Sequence, residues 1–421
     1  MHFTQGFLFM QQQELIPHLF RTEFSKITAV LCKAFGIEHI EAAEDIASET
    51  FLAALENWTY KGIPENPAAW LYTVAKNKAR TYLQRNRLFD QKISNHLRQS
   101  QEEDEEIAID LSGANITDSQ LQMLFALCHP AIPPESQIGL ALRILCGFGI
   151  DEIAHAFLTN KETINKRLFR AKEKLRQEKV AIEFPGEAAI GNRLEAVLTT
   201  LYLLFNEGYY SECQDSVLRE DLCLEAMRLT CLLLESPQTC LPKVKALLAL
   251  MCFHASRFAA RKDERGEIVL YHDQDSSLWN TELIAKGTCF LHEASQGNQL
   301  STYHLEAAIA YWHTIKEDTK EKWENVLQLY NQLLQIRYSP IAALNRTYAL
   351  SKANGKREAI VEAEKLKLEG NPFYFALLGE LYTGTDNRKA ERNFRQALSL
   401  AGTAADRRAI QKKLDILSDQ K

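Results

Sequence analysis

The 421-residue chain lacks the sequence features of membrane and exported proteins. No apolar run reaches the roughly 18 residues that a membrane-spanning helix requires. The start of the chain contains Phe3, Phe7, Leu8 and other apolar residues, but neither a basic leading segment nor a small-residue cleavage site follows the pattern of a signal peptide. These absences favour a cytoplasmic protein with no membrane partner.

Cysteine is present, but not in the spacing that binds metals. None of the nine cysteines lies in a Cys-x-x-Cys pair, and most of them occupy apolar helical contexts. This pattern predicts buried free thiols in a reducing compartment, and it argues against a zinc site or a disulfide framework. We therefore expect no metal and no cofactor.

The net charge of −6 gives by itself no indication of a nucleic-acid partner, but the charge is unevenly distributed. Between Lys61 and Gln99, eight lysines and arginines are opposed only by Glu65 and Asp90, so eight minus two leaves about +6 in this segment. Residues 102–110, in contrast, are strongly acidic. Local charge sets the attraction to phosphates, so the basic segment is a candidate nucleic-acid surface.

Helical periodicity is nearly continuous and strand-like alternation is scarce, so we predict an all-α fold. The length predicts several domains. We place a helical domain at residues 11–95, an acidic linker at 96–117, a second helical domain at 118–180, a helical extension at 187–295 and repeats at 296–421. The linker has few large apolar residues, which is typical of a tether, and Phe184-Pro185-Gly186 marks the next boundary.

The most informative local pattern is a pair of short helices in residues 150–177. Ile150, Ile153 and Phe157 give the first helix an apolar face, and Asn160 is a suitable N-cap for the second. The second helix buries Ile164, Leu168, Ala171 and Leu175, and its other side carries Lys161, Asn165, Lys166, Arg167, Arg170, Lys172 and Lys174. This pattern is typical of a helix-turn-helix that reads the major groove. A helical hairpin with a solvated basic face is the alternative.

A second pattern occupies residues 43–87. An amphipathic helix with acids at its start precedes another helix, for which Pro67 is a favourable first residue. The accessible side of this second helix carries Trp70, Asn77, Lys78, Arg80, Arg85 and Arg87. Such residues suit single-stranded DNA, because cations contact the phosphates and aromatic rings stack on unpaired bases. Trp70 is equally suited to a core position.

The C-terminal region contains a weak repeat. Tyr311, Tyr348 and Tyr382 are 37 and 34 residues apart, close to the 34-residue period of tetratricopeptide repeats. The segment Leu378–Tyr382, followed by Ala390, Phe394 and Ala397, resembles the small-residue signature of such repeats. Helix pairs of this kind cannot bury their apolar faces alone and therefore stack. Plain antiparallel helix hairpins are the alternative.

Two ordered motifs relate the first 180 residues to a known family. Residues 43–87 follow AEDIxxETFLxAL…NPxAWLYxVAxNKARxYLxRxR, and residues 162–176 follow ETIxxRLxRAKxKLR. In this order the chain resembles bacterial RNA polymerase sigma factors of the extracytoplasmic-function type. The segment Leu127-Cys128-His129-Pro130 resembles a subgroup with a helical, tetratricopeptide-bearing extension. The function of that extension does not follow from the motifs.

The resemblance implies that residues 11–95 melt the promoter and bind the polymerase clamp, and that residues 118–180 read the promoter. It implies core RNA polymerase and promoter DNA as partners. The clamp-docking residues would be Asp45, Glu49 and Phe51. The melting residues would be Trp70, Asn77, Lys78, Arg80, Arg85 and Arg87. The promoter-reading residues would be Lys161, Thr163, Asn165, Lys166, Arg167 and Arg170, although Asn165 stands where a basic residue is frequent.

The leading hypothesis is therefore a sigma factor whose C-terminal half regulates it in cis or binds a protein or peptide partner. The alternative is a helix-turn-helix regulator with a repeat scaffold that does not need polymerase, but such a regulator has no use for the melting motif. An enzyme is the third hypothesis. The residues that would suggest it lack any recognised ligand spacing: His254, His272, Asp273, Asp275 and Glu282. We expect no enzymatic activity, and we expect His129 to be a turn or core residue.

Overall fold

The computed structural model describes residues 2–94, 109–157, 159–209, 219–261, 263, 269, 271–402 and 404–419. These residues form helices and connecting turns without any strand, which confirms the all-α prediction. The chain divides into two compact units, Met1–Leu203 and Leu204–Lys421. Within the described ranges, no helix has both the length and the apolar character needed to cross a membrane.

The first unit begins with three helices: α1 (His2–Phe35), α2 (Ile40–Lys61) and α3 (Pro67–Ser94). Pro67 is the first residue of α3, as predicted from its fixed φ. Helix α2 ends at Gly62, which has a φ of 82° and donates its backbone N–H to the carbonyl of Trp58 at 3.0 Å. Only glycine adopts this left-handed conformation without strain, so Gly62 sets the end of α2.

Four further helices complete most of this unit: α4 (Gly113–Leu127), α5 (Pro134–Leu145), α6 (Ile150–Ala156) and α7 (Lys161–Gln177). Helix α4 begins at Gly113, and the side chain of Ser112 caps it. The acids at positions 102–106 of the predicted linker lie outside the described residues. The four residues predicted to form the core face of α7 are all buried: Ile164, Leu168, Ala171 and Leu175.

Helix α8 (Glu187–Tyr209) contains the boundary between the two units. Its Arg193 donates to the backbone carbonyl of Phe125 at 2.6 Å, and its Thr200 donates to Oε1 of Gln137 at 2.7 Å. The larger part of α8 therefore packs with α4 and α5. The sequence-based boundary at 180–187 separates α7 from a helix that belongs to the same unit.

The second unit begins with α9 (Glu220–Leu234), α10 (Pro242–Ala255) and α11 (Thr281–Ala294). Seven helices follow: α12 (Thr302–Trp312), α13 (Lys320–Ile336), α14 (Pro340–Ala353), α15 (Lys356–Leu366), α16 (Pro372–Tyr382), α17 (Asn387–Leu400) and α18 (Ala404–Asp419). A Cβ on Gly379 would lie 2.6 Å from the ring of Phe394, so this glycine allows α16 and α17 to pack closely. The helix order fits both the tetratricopeptide prediction and plain hairpins.

The cysteines follow the prediction only in part. Five of the described cysteines are buried, as expected: Cys32, Cys128, Cys146, Cys223 and Cys252. Burial raises the pKa of Cys128 to about 12, so this thiol stays protonated. The prediction is wrong for Cys231 and Cys289, which are exposed. Cys213 lies outside the described residues.

Candidate nucleic-acid interface

The solvent face of α7 carries the predicted promoter-reading residues. Asn160 caps the helix as predicted, and its side-chain oxygen accepts the backbone N–H of Thr163 at 2.8 Å. Arg167 is half-buried, with its guanidinium 5.8 Å from the centre of the Phe157 ring. The remaining members of the set are exposed: Lys161, Thr163, Asn165, Lys166 and Arg170. Helix α7 can therefore present donors to a groove over its first two to three turns.

A shallow groove extends this face towards the turn between α4 and α5. Its basic side comes from α7, and its other side comes from Ala131, Ile132, Pro133, Glu135 and Ser136. The Nδ1 atom of His129 accepts the N–H of Ala131 at 3.2 Å, so His129 is a turn residue as predicted. Partial burial lowers its pKa and favours the neutral ring that accepts this bond.

Phe169 is a candidate residue that the sequence reasoning missed. Its side chain is 62% exposed on the solvent side of α7, one turn after Asn165. A phenylalanine in this position can contact the methyl group of thymine, and asparagine can pair with adenine. The sequence could have identified Phe169, because the residue after the buried Leu168 lies outside the apolar face of the helix.

Lys172 does not lie on the open basic face that the sequence predicted for it. Its side chain is only 12% exposed, and its Nζ atom lies 2.5 Å from Oε2 of Glu44 on α2. Arg143 of α5 donates to the other oxygen of Glu44 at 2.8 Å, and Arg176 bonds to Glu41. The C-terminal end of α7 thus packs against α2. On a helix, position 172 lies beside the buried position 171, and a carboxylate across the interface turns it inward.

Helix α3 carries the predicted melting residues. Asn77, Arg80 and Arg85 are exposed, whereas the side chain of Arg87 lies outside the described part. Trp70 is half-buried and packs edge-to-face on Trp58, with 5.4 Å between the ring centres. Trp70 therefore makes a packing contact while part of it stays exposed, and the two predicted roles are compatible.

Two charged residues and one aromatic residue of α2 were predicted to dock on the polymerase. Asp45 and Glu49 are exposed, and Glu49 accepts from Nζ of Lys78 at 2.7 Å. Phe51 is buried, with its ring centre 5.0 Å from that of Phe20, so in this structure it supports α2 from within the core. The docking prediction therefore depends on the two acids.

The exposed face of α2 contains apolar residues that the sequence reasoning missed. Leu52 and Leu55 are 57% and 48% exposed, and they follow Glu41, Asp45 and Glu49 at helical spacing. This surface, which we call the α2 face, is acidic at its N-terminal end and apolar at its C-terminal end. An exposed apolar stripe beside charged residues is typical of a protein-binding surface.

Three of the five residues that had suggested an enzyme make structural contacts. His254 packs 4.6 Å from the Tyr209 ring, and His272 shares a 3.0 Å hydrogen bond with the hydroxyl of Tyr348. Asp275 accepts the N–H of Ser277 at 2.8 Å and caps a short turn. Across the described ranges, no group of three or more His, Cys, Asp or Glu side chains could hold a metal ion.

Around Tyr271, cations are enclosed among aromatic rings, a feature for which the sequence had no signal. Lys316 donates to the carbonyls of Tyr271, His272 and Gln274 at 3.1, 3.2 and 2.9 Å. Lys322 is 1% exposed and donates to the carbonyl of Ile315 at 2.5 Å. Burial lowers the pKa of Lys322, and burial beside Arg257 and Lys322 lowers that of His313 to about 3. These cations hold the 271–274 segment in place.

Helix α2 exposes acids and two leucines, and α3 after it exposes basic residues and part of Trp70. Residues 29–89 match the family model Sigma-70 region 2, so the first unit contains a sigma-70 region 2 domain that includes α2 and most of α3. Residues 193–295 match a family of unknown function, DUF6596.

The full-length comparison then gives the family. The chain belongs to the same family as a protein of Rhizobium meliloti (strain 1021) described only as uncharacterized. The two are 34% identical over 389 residues, which cover 90% of this chain and 91% of the relative. No solved structure matches the chain.

Proposed function

We propose that this protein is a sigma factor of the extracytoplasmic-function type, which binds core RNA polymerase and directs promoter-specific initiation. The observation that carries the proposal is the sigma-70 region 2 domain at residues 29–89. This domain contains both the α2 face and the exposed basic residues of α3. A regulator that binds DNA without polymerase would need neither of them.

The α2 face is the proposed polymerase-docking surface. Asp45 and Glu49 supply negative charge, and Leu52 and Leu55 supply apolar area that would be buried on docking. Complementary charge speeds and orients association, whereas buried apolar area supplies most of the affinity. The combination supports a macromolecular partner with a basic rim and an apolar centre.

The proposed DNA contacts are divided between two helices. Helix α3 would hold the separated strand through Trp70, Asn77 and Arg80, and α7 would read the duplex through the face that contains Asn165, Lys166 and Arg170. Because the chain carries a net charge of −6, it should bind duplex DNA weakly by itself. Polymerase would supply the missing affinity.

The second unit is proposed to act as a helical scaffold with tetratricopeptide-like repeats that regulates the sigma module in cis or binds a protein partner. Successive helix pairs from α12 to α17 support this role. Ile336, Tyr338 and Ile341 are 49%, 64% and 56% exposed around the turn between α13 and α14, which offers an apolar contact area. We expect a positive contribution to transcription.

In vitro transcription with purified core polymerase tests the proposal. The full-length chain should form a heparin-resistant complex on its promoter and should produce transcripts, whereas the chain alone should not bind that promoter tightly. A version that ends at Tyr209 keeps α8, whose Arg193 and Thr200 bond to the first unit. If the second unit acts positively, this version should be soluble but less active.

Two outcomes would contradict the proposal. Tight, sequence-specific DNA binding without polymerase, together with no co-purification of polymerase, would favour the regulator hypothesis. Unchanged transcription by an equally abundant truncated chain would remove the regulatory role of the second unit.

A further inference from the structure

The second unit ends in a strongly basic segment that the overall charge of the chain conceals. Residues 387–413 contain eight lysines and arginines but only two acids, Glu391 and Asp406, which leaves about +6. Residues 340–386, which come directly before, contain six basic and six acidic residues and are neutral. Because the whole chain carries −6, its positive charge in the second unit is concentrated at this end.

Helix α17, at the start of this segment, separates its apolar and basic residues onto opposite sides. Ala390, Phe394 and Ala397 are buried, and Gly379 of α16 allows the ring of Phe394 to pack closely. The opposite side presents arginines and polar residues at helical spacing, all of them exposed: Arg388, Arg392, Arg395, Gln396 and Ser399. We call this surface the α17 face.

The α17 face borders a shallow groove that carries a net positive charge. Glu391 is the only acid in the lining of this groove, and it accepts from Arg395 at 2.8 Å. The side chain of Arg395 is still 71% exposed, and an exposed pair of this kind holds its cation only weakly. One acid against three arginines leaves a charge of about +2 in the groove.

Other cations of the basic segment have partners inside the second unit. Nζ of Lys389 lies 4.9 Å from the centre of the Tyr382 ring, and Lys413 bonds to Glu380 of α16. These cations hold α16, α17 and α18 together, whereas the arginines of the α17 face extend into solvent. The α17 face is therefore the part of the basic segment that an anionic partner can reach.

The chemistry of this face fits phosphate groups better than a protein surface. Guanidinium groups bind phosphate oxygens through paired, charge-assisted hydrogen bonds, and Gln396 and Ser399 can donate to the same oxygens. The residues that line the groove are all polar or charged, whereas protein interfaces generally have an apolar or aromatic centre. Leu52 and Leu55 give the α2 face such a centre.

The same face favours a duplex over a single strand. A single-stranded partner stacks its bases on exposed aromatic rings, and the lining of the groove consists of arginine, glutamate, glutamine and serine. Arg388 and Arg395 are about 10 Å apart along the helix axis at 1.5 Å per residue, so each arginine can reach a different phosphate. Contacts to phosphates position DNA but carry no base information.

We propose that the α17 face binds the phosphate backbone of duplex DNA beside the promoter elements that the first unit would read. The proposal rests on the proposed function and extends it, because it gives the second unit a direct role on the promoter. The few charges of this face are too weak to hold DNA by themselves. Once polymerase and the first unit bind the promoter, the covalently joined second unit is at high local concentration, and its phosphate contacts add affinity.

The test compares the salt dependence of promoter binding by the full-length chain in complex with core polymerase. The triple variant Arg388→Gln with Arg392→Gln and Arg395→Gln keeps helix-forming side chains but removes three positive charges. The loss of two to three phosphate contacts should make the slope of log K against log salt concentration shallower by about 2 to 3. Between about 50 and 200 mM salt, the wild-type complex should therefore lose about 12- to 40-fold more affinity than the variant complex.

The matched control removes three positive charges elsewhere in the second unit. Lys286→Gln with Lys320→Gln and Lys365→Gln changes exposed positions on α11, α13 and α15. Circular dichroism checks that both variants fold. The control should leave the affinity and its salt dependence unchanged. An unchanged slope in the triple variant, or an equal change in the control, would overturn the proposal.

Glu391→Gln tests the same surface with the opposite sign. Removal of the only acid of the groove releases Arg395 and should steepen the slope by up to about 0.9, the value for one phosphate contact. Misfolding would not strengthen promoter binding, so this variant keeps the proposal falsifiable if the triple variant does not fold. An unchanged or shallower slope in folded Glu391→Gln would overturn it.

Polymerase binding without DNA distinguishes a DNA contact from a protein contact. The triple variant should bind core polymerase as tightly as the wild type. A loss of polymerase affinity in the folded variant would show that the α17 face docks on an acidic protein surface, and it would overturn the proposal. If the wild-type chain with polymerase binds no promoter, the proposed function itself fails. If it binds the promoter and the triple variant has the same salt dependence, only the role of the α17 face fails.

Discussion

Lys166 and Arg170 of the first unit extend from α7 into solvent, whereas Lys316 and Lys322 of the second unit are enclosed among aromatic rings and backbone carbonyls. All four occur in stretches rich in charged residues. In the first unit the exposed cations are available to phosphates. In the second unit they hold the segment around Tyr271, and Lys322 is held there although burial disfavours its charge. Basic side chains are thus exposed on α7, where we propose DNA recognition, and have a structural role around Tyr271 in the second unit.

The largest expected effect concerns acid sensitivity, which should separate the two units. His313 has a pKa of about 3 in the folded chain against 6.5 for the free side chain. The unfolded state therefore binds the extra proton first, and stability falls as the pH drops below about 6.5. The full loss would be about 5 kcal/mol by pH 3, at 1.36 kcal/mol per pKa unit. Burial of His254 acts in the same direction.

Hydrogen exchange between pH 7 and pH 5 should therefore rise in α10, α12 and α13 before it rises in α7. His313→Phe keeps a ring beside Tyr271 and Trp323 but cannot titrate. This variant should reduce the acid sensitivity of the second unit. If the two units are equally sensitive to acid, and His313→Phe does not change this sensitivity, the predicted difference between the units is wrong.

The next effect separates the two sides of α7. Leu168 is 4% exposed, so Leu168→Ala should destabilise the first unit by about 2–5 kcal/mol through lost burial and a residual cavity. Arg170→Ala, two residues away on the exposed side, should change stability by less than about 0.5 kcal/mol. Chemical denaturation, with exchange in α7 as the local readout, would compare the two. A similar loss for both variants would show that the face assignment is wrong.

The smallest expected effect is on promoter binding by the exposed cations. In complexes saturated with polymerase, Lys166→Ala and Arg170→Ala should each weaken promoter binding by about 1–3 kcal/mol if they contact bases, and by less with a shallower salt dependence if they contact phosphates. Lys172→Gln is the control, because Lys172 faces α2 and not the groove. Wild-type binding by both alanine variants would exclude a groove-facing role for this surface.

Local features of the fold were predictable because they depend on neighbouring residues. The helical period places Ile164 and Leu175 inside, the fixed φ of Pro67 starts α3, and the side chain of Asn160 caps α7. Each of these results from a few adjacent positions, and the structure confirms each one.

Features that depend on distant partners were not predictable. Lys172 turns inward only because Glu44, far earlier in the chain, meets it across an interface. Phe51 lies on a helix assigned to docking but packs on Phe20. Lys322 lies in a charged stretch of the sequence, and its burial is explained by distant groups such as the carbonyl of Ile315 and the ring of Tyr271. Periodicity identifies the face of a helix, but it does not identify what covers that face.

Helix α8 contains the boundary between the two units, and this limits where the chain can be divided. It runs without interruption from Glu187 to Tyr209, the boundary between the units lies inside it, and the DUF6596 match begins within it at residue 193. An insertion of one residue within α8 would rotate the later residues of this helix by about 100°, which would move buried residues such as Leu204 and Phe205 away from their own neighbours. The two units should therefore occur together in related proteins, and insertions that leave the protein folded should lie outside α8.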